Sequence, residues 1–263
     1  MENNIVRVSI LSLFIILCSF TRSERPSFYR VRTIVIDAGH GGKDPGTHGK
    51  IAREKDITLK VALELGRTIK ENYPNVKVYY TRMTDKFVEL YDRADLANRN
   101  HADLFISIHC NANPSSNISG TETYTMGLHT SEGNLEVAKR ENSVILLEED
   151  HEENYGGFDP DSPMAHILMA NYQNAYLTNS LRFAAKVEGQ FKERVGRRSR
   201  GVKQAGFVVL WKSAMPSALI EIGFLSHKEE EKYLNSKQGQ TLVASGIYRA
   251  FKEYKEEMES LND

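Results

Sequence analysis

The chain of 263 residues is long enough for one domain with its own core, and its 40% hydrophobic and 26% charged residues are those of an ordinary globular protein. A net charge of −1 gives no electrostatic signal for nucleic acid or an anionic membrane, and no nucleic-acid partner is expected.

Residues 8–20 form an apolar run of 13, too short to span a bilayer comfortably and suited to the core of a signal peptide. Thr21-Arg22-Ser23 offers a small-x-small cleavage site. Residues 1–23 are therefore expected to be removed, and the protein to be exported to the periplasm or cell envelope. Cys18 follows the bulky Leu17 where a lipid-attachment site wants a small residue, which argues against a lipoprotein. The mature chain would keep a single cysteine, Cys110, so its core must hold it without an internal disulfide.

A buried strand is expected over 32–37, running into the glycine-rich turn Ala38-Gly-His-Gly-Gly42. Apolar residues at helical spacing predict a helix over 57–71, stopped by Tyr73-Pro74. A strand over 76–81, a helix over 88–100 and strands over 104–109 and 120–125 follow. Residues 135–194 read as mostly helical, with a Gly/Pro/Asp-rich break at 156–163. Strand character returns at 206–210 and 217–222, and a last helix is expected over 240–255. Strands alternating with helices predict an α/β sheet covered on both faces.

In such sheets, sites gather where strands end. His40 follows the first strand, Glu54 precedes the first long helix, His109 closes the third strand, and Glu221 lies in the last apolar strand. A hydrolytic zinc wants three ligands from His, Asp or Glu and leaves a fourth position to water. Two of these His with one Glu would make such a set. The glycine-rich turn lacks the spacing of a phosphate loop, and Asp44 stands where a dinucleotide fingerprint needs its third glycine. An acidic residue in an apolar strand needs a partner or a role, which favours Glu221 as a general base.

The motifs Asp37-Ala-Gly-His40-Gly-Gly-Lys-Asp-Pro-Gly46, Arg53-Glu54-Lys-Asp56, Ser107-Ile-His109-Cys-Asn111-Ala-Asn113 and Ile220-Glu221-Ile-Gly-Phe-Leu-Ser226 stand in one order along the chain. Together they resemble the zinc N-acetylmuramoyl-L-alanine amidases of the Amidase_3 family, over about residues 32–256. The resemblance implies a single catalytic domain with a twisted, mostly parallel six-stranded sheet flanked by helices. It implies that His40, Glu54 and His109 hold one Zn2+ and that Glu221 is catalytic. It also implies hydrolysis, in peptidoglycan, of the amide between N-acetylmuramic acid and L-alanine, for wall remodelling or daughter-cell separation. A zinc carboxypeptidase or aminopeptidase of similar fold is the alternative. Asp37 and Asn111 are candidates for orienting the ligands through hydrogen bonds, and the protein is expected to act as a monomer.

About eighty residues separate the strand at 120–125 from that at 206, more than a crossover needs. In similar amidases a helix in this insert, about 131–200 here, covers the zinc with an acidic side chain until an activator protein pulls it away. The acidic cluster at 148–153 supplies the first candidates, Glu148 and Glu149.

Overall fold

The structure, a computed structural model, describes residues 30–170 and 175–261. The expected signal peptide at 1–23, with Cys18, lies outside the described residues. Six strands, β1 (Thr33–Ala38), β2 (Lys77–Tyr80), β3 (Leu104–Asn111), β4 (Thr121–Met126), β5 (Ser199–Ala205) and β6 (Ser217–Phe224), form one sheet in the order β2-β1-β3-β6-β4-β5. β2, β1, β3 and β6 run parallel, β4 is antiparallel to β6, and β5 is parallel to β4. The fold is thus a single α/β domain with a mostly parallel sheet.

Side-chain alternation assigns the two faces. Ile34, Ile36, Ile106, Ile108, Ile220 and Ile222 turn to one core, closed by the helices α1 (Glu54–Asn72), α6 (Leu177–Gln190) and α9 (Lys237–Ser260). Val35, Phe105, Leu219 and Tyr124 turn to the other, closed by α2 (Leu90–Arg99), α3 (Glu132–Asn142) and the short α7 (Val208–Trp211). Both cores are apolar because both faces are covered, which is why β3 and β6 are buried at every position. Further on along the strands of the second face, the alternation places Asp37, His109 and Glu221, where the apolar core gives out.

Two expectations are corrected. Residues 206–210 are not a strand: Val208–Trp211 is a helical turn, and Asn142 pins it by donating to the Gly206 carbonyl (2.7 Å) and accepting from the Val208 N–H (2.8 Å). Its apolar run reflects burial in the second core, not sheet pairing. The strand lies just before it, as β5, a half-buried edge whose residues Ser-Arg-Gly-Val-Lys-Gln-Ala carry no apolar run. Helix α8 (Lys228–Asn235) was also not anticipated.

Two buried arginines hold the turn after β1. Arg82 donates to the Ala38 and Gly39 carbonyls (2.9 and 2.8 Å). Arg93 donates to the carbonyls of Ala38, His40 and Val88 (2.9, 3.0 and 2.8 Å) and pairs with Asp37 at 2.7 Å. Asp37 also accepts from the hydroxyls of Thr81 and Ser107 (2.7 and 2.6 Å). Burial opposes its charge, but Arg93 and these donors outweigh burial and hold its carboxyl below the usual range. A depressed folded-state value means that the stabilisation is complete above the ordinary carboxylate range and is lost as pH falls through the lowered value. Arg93→Met should strand the Asp37 charge in the core and lower stability by about 3–5 kcal/mol, read as a shift of the denaturation midpoint at neutral pH.

Candidate metal centre

β1 delivers the chain into a turn in which His40 adopts a left-handed backbone (φ 61°). Gly39 must be glycine, because a Cβ there would lie 2.5 Å from the His109 ring. Gly46 (φ 67°) is similarly confined, with Glu54 and His40 each 2.6 Å from where its Cβ would stand. The turn therefore lets two imidazoles approach edge to face, with ring centres 4.9 Å apart. Asp44 holds His40 Nδ1 at 2.7 Å, which orients the ring and leaves Nε2 facing inward.

Glu54 opens α1, where the helix N-terminus favours a negative charge. Its Oε2 accepts from the Thr47 N–H and its Oε1 from the Cys110 N–H, both at 2.7 Å. Glu54 Oε1 lies 3.1 Å from His40 Nε2 and 3.2 Å from His109 Nδ1. A fourth donor, Glu141 of α3, places Oε2 3.2 Å from His40 Nε2 and 3.0 Å from His109 Nδ1. The four ligand atoms all lie within 4.8 Å of one another, and all four residues are buried.

These atoms fit a small cation. Four of the six edges measure 3.0–3.2 Å, close to the roughly 3.3 Å edge of a tetrahedron with ligand distances of about 2.0 Å. His40 Nε2, His109 Nδ1 and Glu141 Oε2 are buried without a hydrogen-bond partner among the described residues. Burial opposes charge on the imidazoles, yet Glu54 and the contacts from Asp44 and Glu141 raise His40 well above its ordinary value. Glu141 leads in pushing His109 up to about 9 against the same burial. Burial opposes the Glu54 charge too, but His40 outweighs it and holds the carboxyl at about 2. A site that draws protons this strongly would accept a divalent cation in their place.

Glu221 stands in register with His109 on β3 and with Glu122 on β4. It is fully buried, and neither carboxylate oxygen has a hydrogen bond among the described residues. Burial first, and then the nearby Glu141, push its carboxyl well above the usual range. Its near cation is Arg140, 3.5 Å away. Arg140 also pairs with the outer oxygen of Glu141 at 2.9 Å and donates to Asn111 Oδ1 at 3.1 Å.

The structure thus brings His40, Glu54 and His109 to one point, with Glu221 on the adjacent strand. Among the described residues no hydrogen bond joins Asp37 or Asn111 to a ligand side chain. Asp37 acts on the His40 backbone through Arg93, and Asn111 binds Glu122 (3.1 Å) and Arg140. The side chain that orients a ligand is Asp44, whose place four residues after His40 in the turn was its available signal. Glu148 and Glu149 are displaced as candidates for the fourth corner by Glu141. Glu148 instead accepts from the Leu90 N–H (2.8 Å) and the Tyr155 hydroxyl (2.5 Å), while Glu149 is exposed.

Residues 34–253 match the family described as N-acetylmuramoyl-L-alanine amidase. The chain is 34% identical over 226 residues to N-acetylmuramoyl-L-alanine amidase AmiC of Escherichia coli, covering 84% of this chain and 52% of AmiC, so it spans about half of that relative. It is similar in structure to an N-acetylmuramoyl-L-alanine amidase from Clostridium difficile 630 (TM-score 0.63, 28% identity, 86% of this chain and 97% of that one). It is also similar to the CwlD amidase from Clostridioides difficile in complex with the GerS lipoprotein (TM-score 0.62, 25% identity, 85% and 98%).

Replacing His40 or His109 by Ala should abolish stoichiometric metal binding in a refolded, metal-loaded preparation measured by elemental analysis. Asp44→Asn should keep the fold and weaken metal affinity by about 10–100-fold, the usual effect of removing a ligand's orienting partner. Full occupancy in both His variants would overturn the assignment.

Proposed function

The chain belongs to the N-acetylmuramoyl-L-alanine amidase family, and from that premise we propose that it is a zinc hydrolase cutting the amide between N-acetylmuramic acid and L-alanine in peptidoglycan. The observation that carries the reading is the buried set of His40, Glu54 and His109 with Glu221, which has no hydrogen bond among the described residues, beside it. The two imidazoles and carboxylates are the donor types zinc takes in hydrolases. The family match over residues 34–253 disfavours the carboxypeptidase or aminopeptidase alternative. Export to the periplasm or cell envelope, for wall remodelling or daughter-cell separation, follows from the apolar run at 8–20 and from that substrate.

Zinc in this site would supply Lewis-acid chemistry, polarising the scissile carbonyl and acidifying water. His40, Glu54 and His109 fix the site's position, and Asp44 keeps His40 presenting Nε2. Glu221 takes the proton from the attacking water and returns it to the departing alanine nitrogen. Its burial and its place in register with His109 set it beside the site where that proton has to pass.

Glu141 makes the described arrangement a self-inhibited one. Filling the fourth corner with a carboxylate would exclude water, and the neighbouring Arg140 at the same time engages Glu221. One turn of the insert therefore occupies both halves of the chemistry. An activator protein that withdraws this turn would free both, and the likeness to an amidase in complex with a lipoprotein supports a protein partner of that kind.

Digestion of purified wall, with mass spectrometry of the fragments, should release intact stem peptides, and a chelator should stop it. Glu221→Ala should retain zinc and lose activity by about a hundredfold or more; near-normal turnover would refute the role. Glu141→Ala should retain zinc and raise basal hydrolysis by about tenfold or more, equivalent to losing roughly 1.4 kcal/mol of blocking contact. Unchanged or lower activity in a folded Glu141→Ala protein would count against self-inhibition.

A further inference from the structure

Beyond the metal cluster, the row His109–Glu221 continues across the sheet to Glu122, in direct register and on the same face. Glu122 is buried and carries more cation than it needs. Arg200 Nε and Lys203 Nζ, both from the edge strand β5, reach the same Glu122 oxygen, each at 2.6 Å. The other oxygen already accepts from the Tyr124 hydroxyl (2.7 Å) and Asn111 Nδ2 (3.1 Å). Burial opposes the charge on Glu122, but Lys203 and Arg200 outweigh it and keep the carboxyl ionised below its usual range. One carboxylate against two cations leaves one positive charge uncompensated.

The position of that charge is fixed and open. The Arg200 guanidinium also sits over the Phe224 ring (5.6 Å), and the Lys203 ammonium over the Tyr124 ring (5.7 Å). Their side chains are 27% and 22% exposed, so a ligand can reach them. Cations braced by a carboxylate and a ring have little freedom left to lose on binding, which is the setting for tight, selective recognition.

We propose that Arg200 and Lys203 are specificity residues that bind a carboxylate of the stem peptide, two or three residues beyond the scissile amide. This rests on the amidase reading. The spacing carries the choice: two strand intervals separate His109 from Glu122, about 10 Å at roughly 4.8 Å each, the Arg200 and Lys203 side chains reach back from β5 to that point, and an extended peptide covers the distance in about three residues. Glu122 is the positioning residue, holding both cations toward the peptide's path beside Glu221.

The test uses the full chain carrying Glu141→Ala and loaded with zinc. It compares N-acetylmuramoyl peptides bearing free carboxylates with twins whose carboxylates are amidated. The variants are Arg200→Gln and Lys203→Gln, made singly so that Glu122 keeps one cation and stays paired. The parent should favour the carboxylate substrate by about tenfold or more in kcat/KM, the scale of a charge-assisted hydrogen bond. Each variant should lower turnover of that substrate by a similar factor and leave the carboxamide within about twofold, and Arg200→Lys should restore most of the preference. No preference in the parent, or equal losses on both substrates, would overturn the proposal. Calorimetric binding of the same peptides to the same proteins reads the contact without turnover. A preference in binding with no cleavage of either substrate would overturn the amidase reading while leaving the contact of Arg200 and Lys203 with the peptide carboxylate standing; no preference in binding would overturn that contact.

Discussion

A carboxylate in a dry interior has to be answered by positive charge or by hydrogen bonds, and the buried Asp37, Glu54, Glu122, Glu141 and Glu221 of this protein lie toward one end of a single sheet. Each is answered in its own way. Asp37 has Arg93 and two hydroxyls, and Glu54 has two backbone amides and two imidazoles. Glu122 has two cations from the edge strand, and Glu141 has the imidazoles on one side and Arg140 on the other. Glu221 alone has no hydrogen bond among the described residues and relies on an arginine borrowed from the insert. Across the sheet these arrangements run from fully paired and buried, at β1, to the clustered donors at β3 and β6, to the partly exposed cations at β5.

The parallel part of the sheet makes this possible. β1, β3 and β6 are apolar along most of their length and polar where they end, so one face changes from core to site within a few residues. The register shift between His109 and Asn111 falls just past the metal cluster. Such irregularities re-aim side chains near sites, and here the strand passes from a ligand to the residue that bridges Glu122 and Arg140.

Much of this was legible in the sequence, and what was missed has a physical cause. β1, β3 and β6 are buried on both faces, and short apolar runs announce them. His40 and His109 sit beside glycines and strand ends, where a polar residue is conspicuous; the part of Glu54 came from the resemblance and not from its spacing. β5 stayed hidden because an edge strand with one wet side and charged residues has no apolar signature. Residues 206–210 misled for the opposite reason, since an apolar run says buried and does not say extended. Glu141 stands in a helix whose sequence, Glu-Val-Ala-Lys-Arg-Glu-Asn, reads as an ordinary amphipathic surface. The denser acidic cluster at 148–153 drew attention, yet its buried member, Glu148, caps the start of α2. Which acid turns inward depends on where the insert crosses the sheet, and that is a tertiary fact.

Three consecutive residues of the insert are committed to three different places. Arg140 reaches Glu221, Glu141 reaches the imidazoles, and Asn142 clasps the Gly206–Val208 backbone inside the second core. Side chains at adjacent helix positions diverge by about 100°, so no hinge motion frees one of these contacts and keeps the other two in place. Moving this turn as a unit would therefore mean a local melting of the end of α3, with Asn142 leaving two buried backbone groups unsatisfied as it goes. Transitions of that kind are cooperative. A turn held in this way would let go as a threshold device, silent at partial engagement and fully released once it gives way.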